Sequence, residues 1–166
     1  MRSIVLYSAL KKYILSKWPT QYITRGFIDY EHDNDLGIYV KDIAPLKGYM
    51  EGDKYQGRVA RVQFIYQATQ SDEDFYANRQ FMNSLENYLL KLQNVLVVTE
   101  NNYTINEDGD IIRIDEPTAA DKGLTIGISN TNLITSIVDL GKSPDGRPMF
   151  SINLAITYFI GGKNNG

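Results

Sequence analysis

The sequence predicts an α+β fold, with two helices packed on one face of a mainly antiparallel sheet as a two-layer sandwich. Three stretches support this prediction. In Gly57–Thr69, apolar and polar side chains alternate, as in a half-buried strand. After Ser71 the spacing changes to that of a helix running to Leu92, and the carboxylates of Asp72–Asp74 suit the positive end of that helix. Phe150–Ile160 alternates strictly and is the clearest strand.

An N-terminal helix is predicted from Ser3 to Trp18. Apolar side chains recur on one side of this segment, while its lysines remain on the other. Pro19 ends the helix, because proline disfavours the helical conformation in the residue before it. We interpret Trp18 as a core residue rather than as a platform for a ligand.

Between Phe27 and Gly37 the chain concentrates acidic residues around its only histidine. The charged or titratable residues are Asp29, Glu31, His32, Asp33 and Asp35. A metal or acid–base site is one interpretation, but the segment lacks the glycine and the distal glutamate of a calcium loop. A single histidine also excludes a two-histidine metal motif. We therefore predict a solvated turn that joins two strands.

Further strands are predicted where apolar residues alternate or form short β-type runs. They are Leu36–Ile43, Val95–Thr99, Leu124–Ile128 and Leu133–Leu140. The turn-forming cluster Asn106–Asp110 lies between Tyr103–Ile105 and Ile111–Ile114, which predicts a hairpin.

The segment Ala44–Gln56 contains proline, glycine and several charges, which is typical of a long surface loop. Such loops often contact a partner. The candidate contact residues are Pro45, Lys47, Tyr49, Met50 and Tyr55. The length of 166 residues fits one domain, predicted at 1–160 and followed by a flexible polar tail at 161–166.

Composition restricts the classes of function. The chain has no cysteine, which excludes disulfides and cysteine-based zinc sites, and its net charge of −3 argues against general affinity for nucleic acids. The apolar start is interrupted at Lys11, too early for a membrane span, so we expect a soluble protein without a membrane partner. No phosphate-binding loop, dinucleotide fingerprint or nucleophile elbow occurs in the sequence. We therefore expect no enzyme, no catalytic residue, no cofactor and no metal.

Charge is unevenly distributed along the chain. Residues 1–70 contain ten basic and seven acidic residues, whereas residues 71–166 contain seven and thirteen. Scatter over a solvated surface explains this simply, but opposite patches that meet when copies pack head to tail would also explain it. The most acidic segment is 101–121. Its acidic residues are Glu107, Asp108, Asp110, Asp115, Glu116 and Asp121.

Several of these elements together resemble the tail-terminator proteins of long-tailed bacteriophages, also described as minor capsid or tail-completion proteins. The resemblance lies in the helix ending at Trp18–Pro19, the central strand Arg61–Tyr66, the helix Asp72–Leu92 and the strand Phe150–Ile160. It covers most of the chain.

The resemblance implies a virion structural protein that forms a ring, usually of six copies, at the head-proximal end of the tail after assembly in the host cytoplasm. Its partners would be further copies, the tail-tube protein and a head-completion or connector protein. The six acidic residues of segment 101–121 would then be candidates for the channel lining, because a negative wall repels the DNA backbone and lets the genome pass without specific binding. The loop Ala44–Gln56 would contact the tube or the connector.

Three other functions remain open. A tail-tube or head-closure protein would also form rings, and stacking of the rings into tubes would distinguish it. A small hydrolase could use His32 with Asp29, Asp33 or Asp35, and loss of activity on replacing His32 would indicate this. A monomeric binding module could use the acidic hairpin to contact a basic partner, and light scattering would reveal it as a monomer.

Overall fold

The structure is a computed structural model that describes residues 2–26, 29, 32–45, 57–69 and 75–163. In these ranges the chain forms two helices, α1 and α2, and eight strands, β1 to β8. The helices are Arg2–Lys17 and Phe75–Leu89. The strands are, in order, Tyr22–Arg25, Asp35–Pro45, Gly57–Gln67, Val95–Val98, Tyr103–Ile105, Ile111–Arg113, Leu124–Lys142 and Pro148–Lys163.

Six strands form one sheet in the order β1-β2-β3-β8-β7-β4, and β5 and β6 form a separate two-stranded sheet. Strand β1 is parallel to β2, and the other neighbouring strands are antiparallel. The protein is dominated by its sheet, with 50% strand and 21% helix, and the main sheet curls into a half-barrel. The predicted two-layer α+β sandwich is therefore wrong.

The curl of the sheet has a physical cause in its long strands. The twist between neighbouring strands accumulates over a sheet, and each β-bulge bends its strand and increases the local twist. The pairing of β7 with β8 shifts register at five points, and the pairing of β2 with β3 shifts between Val40 and Asp42. Leu124–Ile128 and Leu133–Leu140, predicted as separate strands, belong to one continuous strand of 19 residues.

The core lies on the inner face of the curled sheet. Val62 of β3 pairs with Leu154 of β8, and Phe64 pairs with Ile152, so that the alternating apolar residues of the two strands share one face. All four side chains are buried. The buried apolar side chains of both helices belong to the same core cluster. They are Val5, Leu6, Ala9, Leu10 and Ile14 of α1 and Met82, Leu85 and Leu89 of α2.

An aromatic contact joins the two helices. The rings of Tyr13 and Tyr88 stack with their centroids 4.1 Å apart, and the Tyr13 hydroxyl donates to the Tyr88 carbonyl oxygen at 2.8 Å. Burial raises the pKa of Tyr13 to about 12. Trp18 packs edge-on against Phe81, with a centroid distance of 5.3 Å, which confirms its prediction as a core residue.

Several element boundaries differ from the sequence predictions. Helix α1 is confirmed to within one residue at each end. Strand β1 was not predicted, since four residues are too few for a periodic pattern. Strand β2 continues through Ala44 and Pro45, and β8 continues through Gly161 to Lys163, where a loop and a tail were predicted. Residues 46–56, 70–74 and 164–166 of the predicted loop, helix start and tail lie outside the described residues.

We predict that Gly123→Ala destabilises the fold more than Gly109→Ala does. Both glycines have positive φ, +78° and +85°, so alanine at either position costs about 1–2 kcal/mol in backbone strain. Only at Gly123 would the new Cβ lie 2.7 Å from the carbonyl oxygens of Thr99 and Glu100, which adds about 1–3 kcal/mol of overpacking. Urea unfolding of both variants measures the difference, and equal losses of stability would contradict the close approach at Gly123.

Candidate functional site

The acidic hairpin is built by the separate sheet of β5 and β6. Its turn is closed by three hydrogen bonds: Asn106 N–H donates to the Asp110 carbonyl oxygen at 2.9 Å, Gly109 N–H donates to the Asn106 carbonyl oxygen at 3.1 Å, and Asp110 N–H donates to Asn106 Oδ1 at 2.8 Å. Glu107, Asp108 and Asp110 are exposed on this turn. The half-buried side chains of Tyr103, Ile105 and Ile111 pack against the core and anchor the hairpin. The turn therefore projects three carboxylates into solvent, and its hydrogen bonds hold it in one conformation.

The other three acidic residues follow β6. Asp115 and Glu116 are exposed, whereas Asp121 is half-buried and accepts hydrogen bonds from Thr118 N–H at 2.8 Å and from Thr118 Oγ1 at 3.3 Å. The structure thus divides the six predicted residues into a turn group and a second group after β6. Within the described ranges, no three or more His, Cys, Asp or Glu side chains form a group that could hold a metal ion.

Most of the predicted partner-contact residues lie outside the part of the chain that the structure describes. Pro45 is exposed at the end of β2, where it pairs with Arg58 of β3. Lys47, Tyr49, Met50 and Tyr55 lie outside the described residues.

The segment around His32 joins β1 to β2, as predicted, but it is not simply solvated. Asp35 is completely buried, and its carboxylate accepts hydrogen bonds from Thr24 Oγ1 at 2.9 Å and from Asp29 N–H at 2.8 Å. Burial raises the pKa of Asp35, and the two hydrogen bonds partly oppose this shift. Gln67 Nε2 donates to the carbonyl oxygens of Asp29 and His32, both at 2.9 Å. These contacts attach the segment to the sheet.

The carboxylates near His32 take part in structural contacts. The imidazole stacks on Tyr22 at a centroid distance of 3.7 Å, and its Nδ1 lies 2.6 Å from the backbone carbonyl oxygen of Asp33. The Asp33 carboxylate accepts from Arg147 Nε at 2.8 Å, and Asp145 accepts from the same guanidinium at 2.6 Å. These hydrogen bonds raise the pKa of Arg147. The arrangement ties the β7–β8 turn to the segment before β2.

A second surface that sequence reasoning missed lies on β7. Four large apolar side chains in eight residues are exposed, and we refer to them as the β7 apolar strip. They are Leu133 at 40%, Ile134 at 49%, Val138 at 37% and Leu140 at 46% of their full accessible area. Strand β4 pairs only with Thr125–Ile128 of β7, so the described part of β4 does not reach the strip.

The sequence did contain a signal for this strip. Between Leu133 and Leu140 apolar residues do not alternate with polar ones, as they do in strands with one solvated face. A run of this kind is typical of a strand covered on both faces. In this structure β7 leaves four large side chains of that run exposed.

No protein-family model and no curated protein sequence matches this chain. Neither described helix has the length and hydrophobicity needed to cross a bilayer.

We predict that Thr24→Val lowers the free energy of unfolding by about 1–3 kcal/mol at pH 7, because the buried Asp35 carboxylate loses a donor. Since burial raises the folded-state pKa of Asp35 above its unfolded value, ionisation of this group makes stability fall as pH rises through that range. Removing the Thr24 donor raises the pKa further. The cost of Thr24→Val is therefore largest above the folded pKa and shrinks as pH falls through it.

The control for this prediction is Thr118→Val, which removes a hydroxyl donated to the half-buried Asp121 on an exposed segment. We expect a change below about 0.5 kcal/mol there, as for most surface substitutions. Urea unfolding of both variants at pH 4 and pH 7 makes the comparison. A Thr24→Val cost that does not vary with pH would show that the hydroxyl does not act through the Asp35 carboxylate.

Proposed function

We propose that this chain is a virion structural protein of the tail-terminator type. It forms a ring of identical copies that closes the end of the tail tube and presents a surface to the head connector. The observation that carries this proposal is the β7 apolar strip. Its exposed apolar side chains need to be buried, and the surface of a neighbouring copy in a ring would bury them.

Leaving the β7 apolar strip in water costs free energy that a neighbouring copy would recover. Burial of apolar surface contributes roughly 25 cal/mol per Å², and contiguous apolar patches on a monomer mark sites of protein association. The strip also lies on a long strand near the edge of the sheet, where exposed apolar strands tend to associate. Register shifts interrupt β7 along this stretch, so side-chain packing suits its cover better than regular strand addition does.

Strand β7, which carries the strip, is hydrogen-bonded to α2 and to the segment after α2. Ser136 Oγ donates to Glu86 Oε1 at 2.8 Å, and Gln93 Nε2 donates to the Thr131 carbonyl oxygen at 2.7 Å. These bonds fix the strand on the body of the domain. Because the surface is preorganised, less conformational entropy is lost when a neighbour packs on it.

In this proposal the carboxylates after β6 line the channel. Asp115 and Glu116 are exposed and negatively charged, and a wall of such groups repeated around a ring repels the phosphate backbone. The genome then passes without binding. The tail-tube protein contacts one side of the ring and the head connector contacts the other.

We predict that the double substitution Ile134→Lys and Val138→Lys prevents ring formation, because two charges would enter an apolar contact. Negative-stain electron microscopy of the protein with isolated tail tubes tests this. The parent chain caps tube ends as single rings, and the variant leaves the ends open. Ile112→Lys is the matched control, since Ile112 is an equally exposed apolar side chain outside the strip. Parent rings that stack into tubes would instead favour a tail-tube protein.

We predict that Asp115→Lys with Glu116→Lys impairs DNA passage and leaves ring assembly intact. The new cations would attract the backbone instead of repelling it. The measurement is the fraction of DNA released from virions assembled with the variant, with ring formation checked by microscopy. The neutral pair Asp115→Asn and Glu116→Gln separates loss of repulsion from gain of attraction. Loss of assembly in the lysine variant would place these residues in an interface.

A further inference from the structure

Arg58 and Tyr158 lie opposite each other where β3 begins to pair with β8. Side chains alternate along a strand, so Arg58 shares the inward face of β3 with the buried residues Ala60 and Val62. Arg58 retains 8% of its accessible area, and Tyr158 retains none. A guanidinium and a phenol therefore continue the apolar inner face of the sheet.

The hydroxyl of Tyr158 is a buried polar group without a hydrogen-bond partner among the described residues. Burial raises the pKa of Tyr158 to about 12, although the positive charges of Arg2 and Arg58 oppose this shift. The hydroxyl is therefore protonated at neutral pH and can donate. Since buried polar groups nearly always have a partner, an acceptor from outside the chain would complete this one.

A second cation, Arg2, lies near this pair. Burial lowers the pKa of Arg58, and the positive charge of Arg2 lowers it further. The described residues whose charges act on Arg58 or on Tyr158 in this way include no carboxylate. An anion placed between the two guanidinium groups would offset their mutual repulsion.

The start of α1 adds to the positive potential. Arg2 is the first residue of this 16-residue helix, and the first turn contains no acidic residue. The free N–H groups at a helix N-terminus carry partial positive charge. Arg2 is exposed, whereas Arg58 and Tyr158 are buried, so the cluster opens to solvent on the side of Arg2. Positive charge from two side chains and a helix end thus lies beside an unused hydroxyl donor.

We infer that Arg2, Arg58 and the Tyr158 hydroxyl form a binding site for one phosphate group, carried by inorganic phosphate or by a small phosphomonoester. Two cations match the charge of such a group, roughly −1.5 to −2 near pH 7, better than they match a single carboxylate. The planar guanidinium also fits phosphate oxygens, and helix N-termini commonly bind phosphate.

The existing contacts of Arg58 are compatible with this role. Its Nη1 donates to the Gly57 carbonyl oxygen at 3.3 Å, and Arg58 has a further interaction. The charge of a guanidinium attracts an anion whichever of its five N–H groups donate elsewhere. Because so little of Arg58 is exposed, the site suits a small ligand rather than the backbone of duplex DNA. Phosphate binding here does not depend on ring formation.

Isothermal titration calorimetry of the full chain with sodium phosphate, at constant ionic strength, tests the site. We expect saturable binding to the parent chain and an affinity about 10- to 100-fold lower in Arg58→Gln and in Arg2→Gln, because each loses a charged donor. The matched control is Arg61→Gln, which removes an exposed arginine from the outer face of the same strand and should leave the affinity unchanged. Circular dichroism and urea unfolding check that each variant is folded.

The variant Tyr158→Phe removes one oxygen atom and keeps the ring. Without phosphate we expect its stability to equal or exceed that of the parent, because an unsatisfied buried donor is lost. Its phosphate affinity should fall by about 3- to 10-fold, the value of one hydrogen bond. A merely structural role for the hydroxyl predicts the reverse, a loss of stability with unchanged affinity. Phosphate also stabilises proteins as a salt, but that effect acts on the parent and all variants alike.

Phenyl phosphate identifies the source of the group. If it binds more tightly than inorganic phosphate, the natural ligand is a phosphomonoester, and if it binds no more tightly, the ligand is free phosphate. The absence of saturable binding to the parent overturns the inference. Equal affinities in the parent, Arg2→Gln and Tyr158→Phe overturn it too, and these two variants decide the matter if Arg58→Gln fails to fold. Binding of duplex DNA without binding of phosphate also contradicts it.

Discussion

The pairing of β3 with β8 is the interaction on which the rest of the structure depends. Their register runs without interruption from Gly57 opposite Phe159 to Gln67 opposite Met149. Because side chains alternate along both strands, this register places every inward residue of β3 beside an inward residue of β8. A slip of one position would move Val62 and Phe64 to the outer face and remove the surface against which both helices pack.

The strands on either side of this central pair are less regular. Strand β2 extends the sheet on one side and β7 on the other, and both depart from regular pairing through bulges. The bulges let a long sheet curl around two short helices. They also leave apolar side chains of β7 facing solvent. The same geometry that closes the core thus leaves the β7 apolar strip exposed.

Polar contacts attach the segment before β2 to β1 and to the β7–β8 turn. Arg147 joins the β7–β8 turn to Asp33, and Asp35 is held by Thr24 and by the backbone of Asp29. The buried Asp35 carboxylate requires donors, because an unsatisfied buried charge is costly. The Asp33 and Asp35 carboxylates near His32 therefore make hydrogen bonds that hold the fold together. Glu107, Asp108 and Asp110 on the β5–β6 turn are exposed to solvent, as are Asp115 and Glu116 after β6.

The sequence by itself determined the features that depend on residues close together in the chain. The alternation in β3 and β8, the helical spacing in α1 and α2 and the turn at Asn106–Asp110 were all predictable, because each pattern reflects a local backbone geometry. Only the tertiary structure decided what depends on distant residues. The curl of the sheet, the burial of Asp35 and the contact of Asp33 with Arg147, 114 positions away, arise when remote segments meet. Local periodicity carries no information about contacts between remote segments. The prediction of a two-layer fold was therefore wrong, although most of the predicted helices and strands were right.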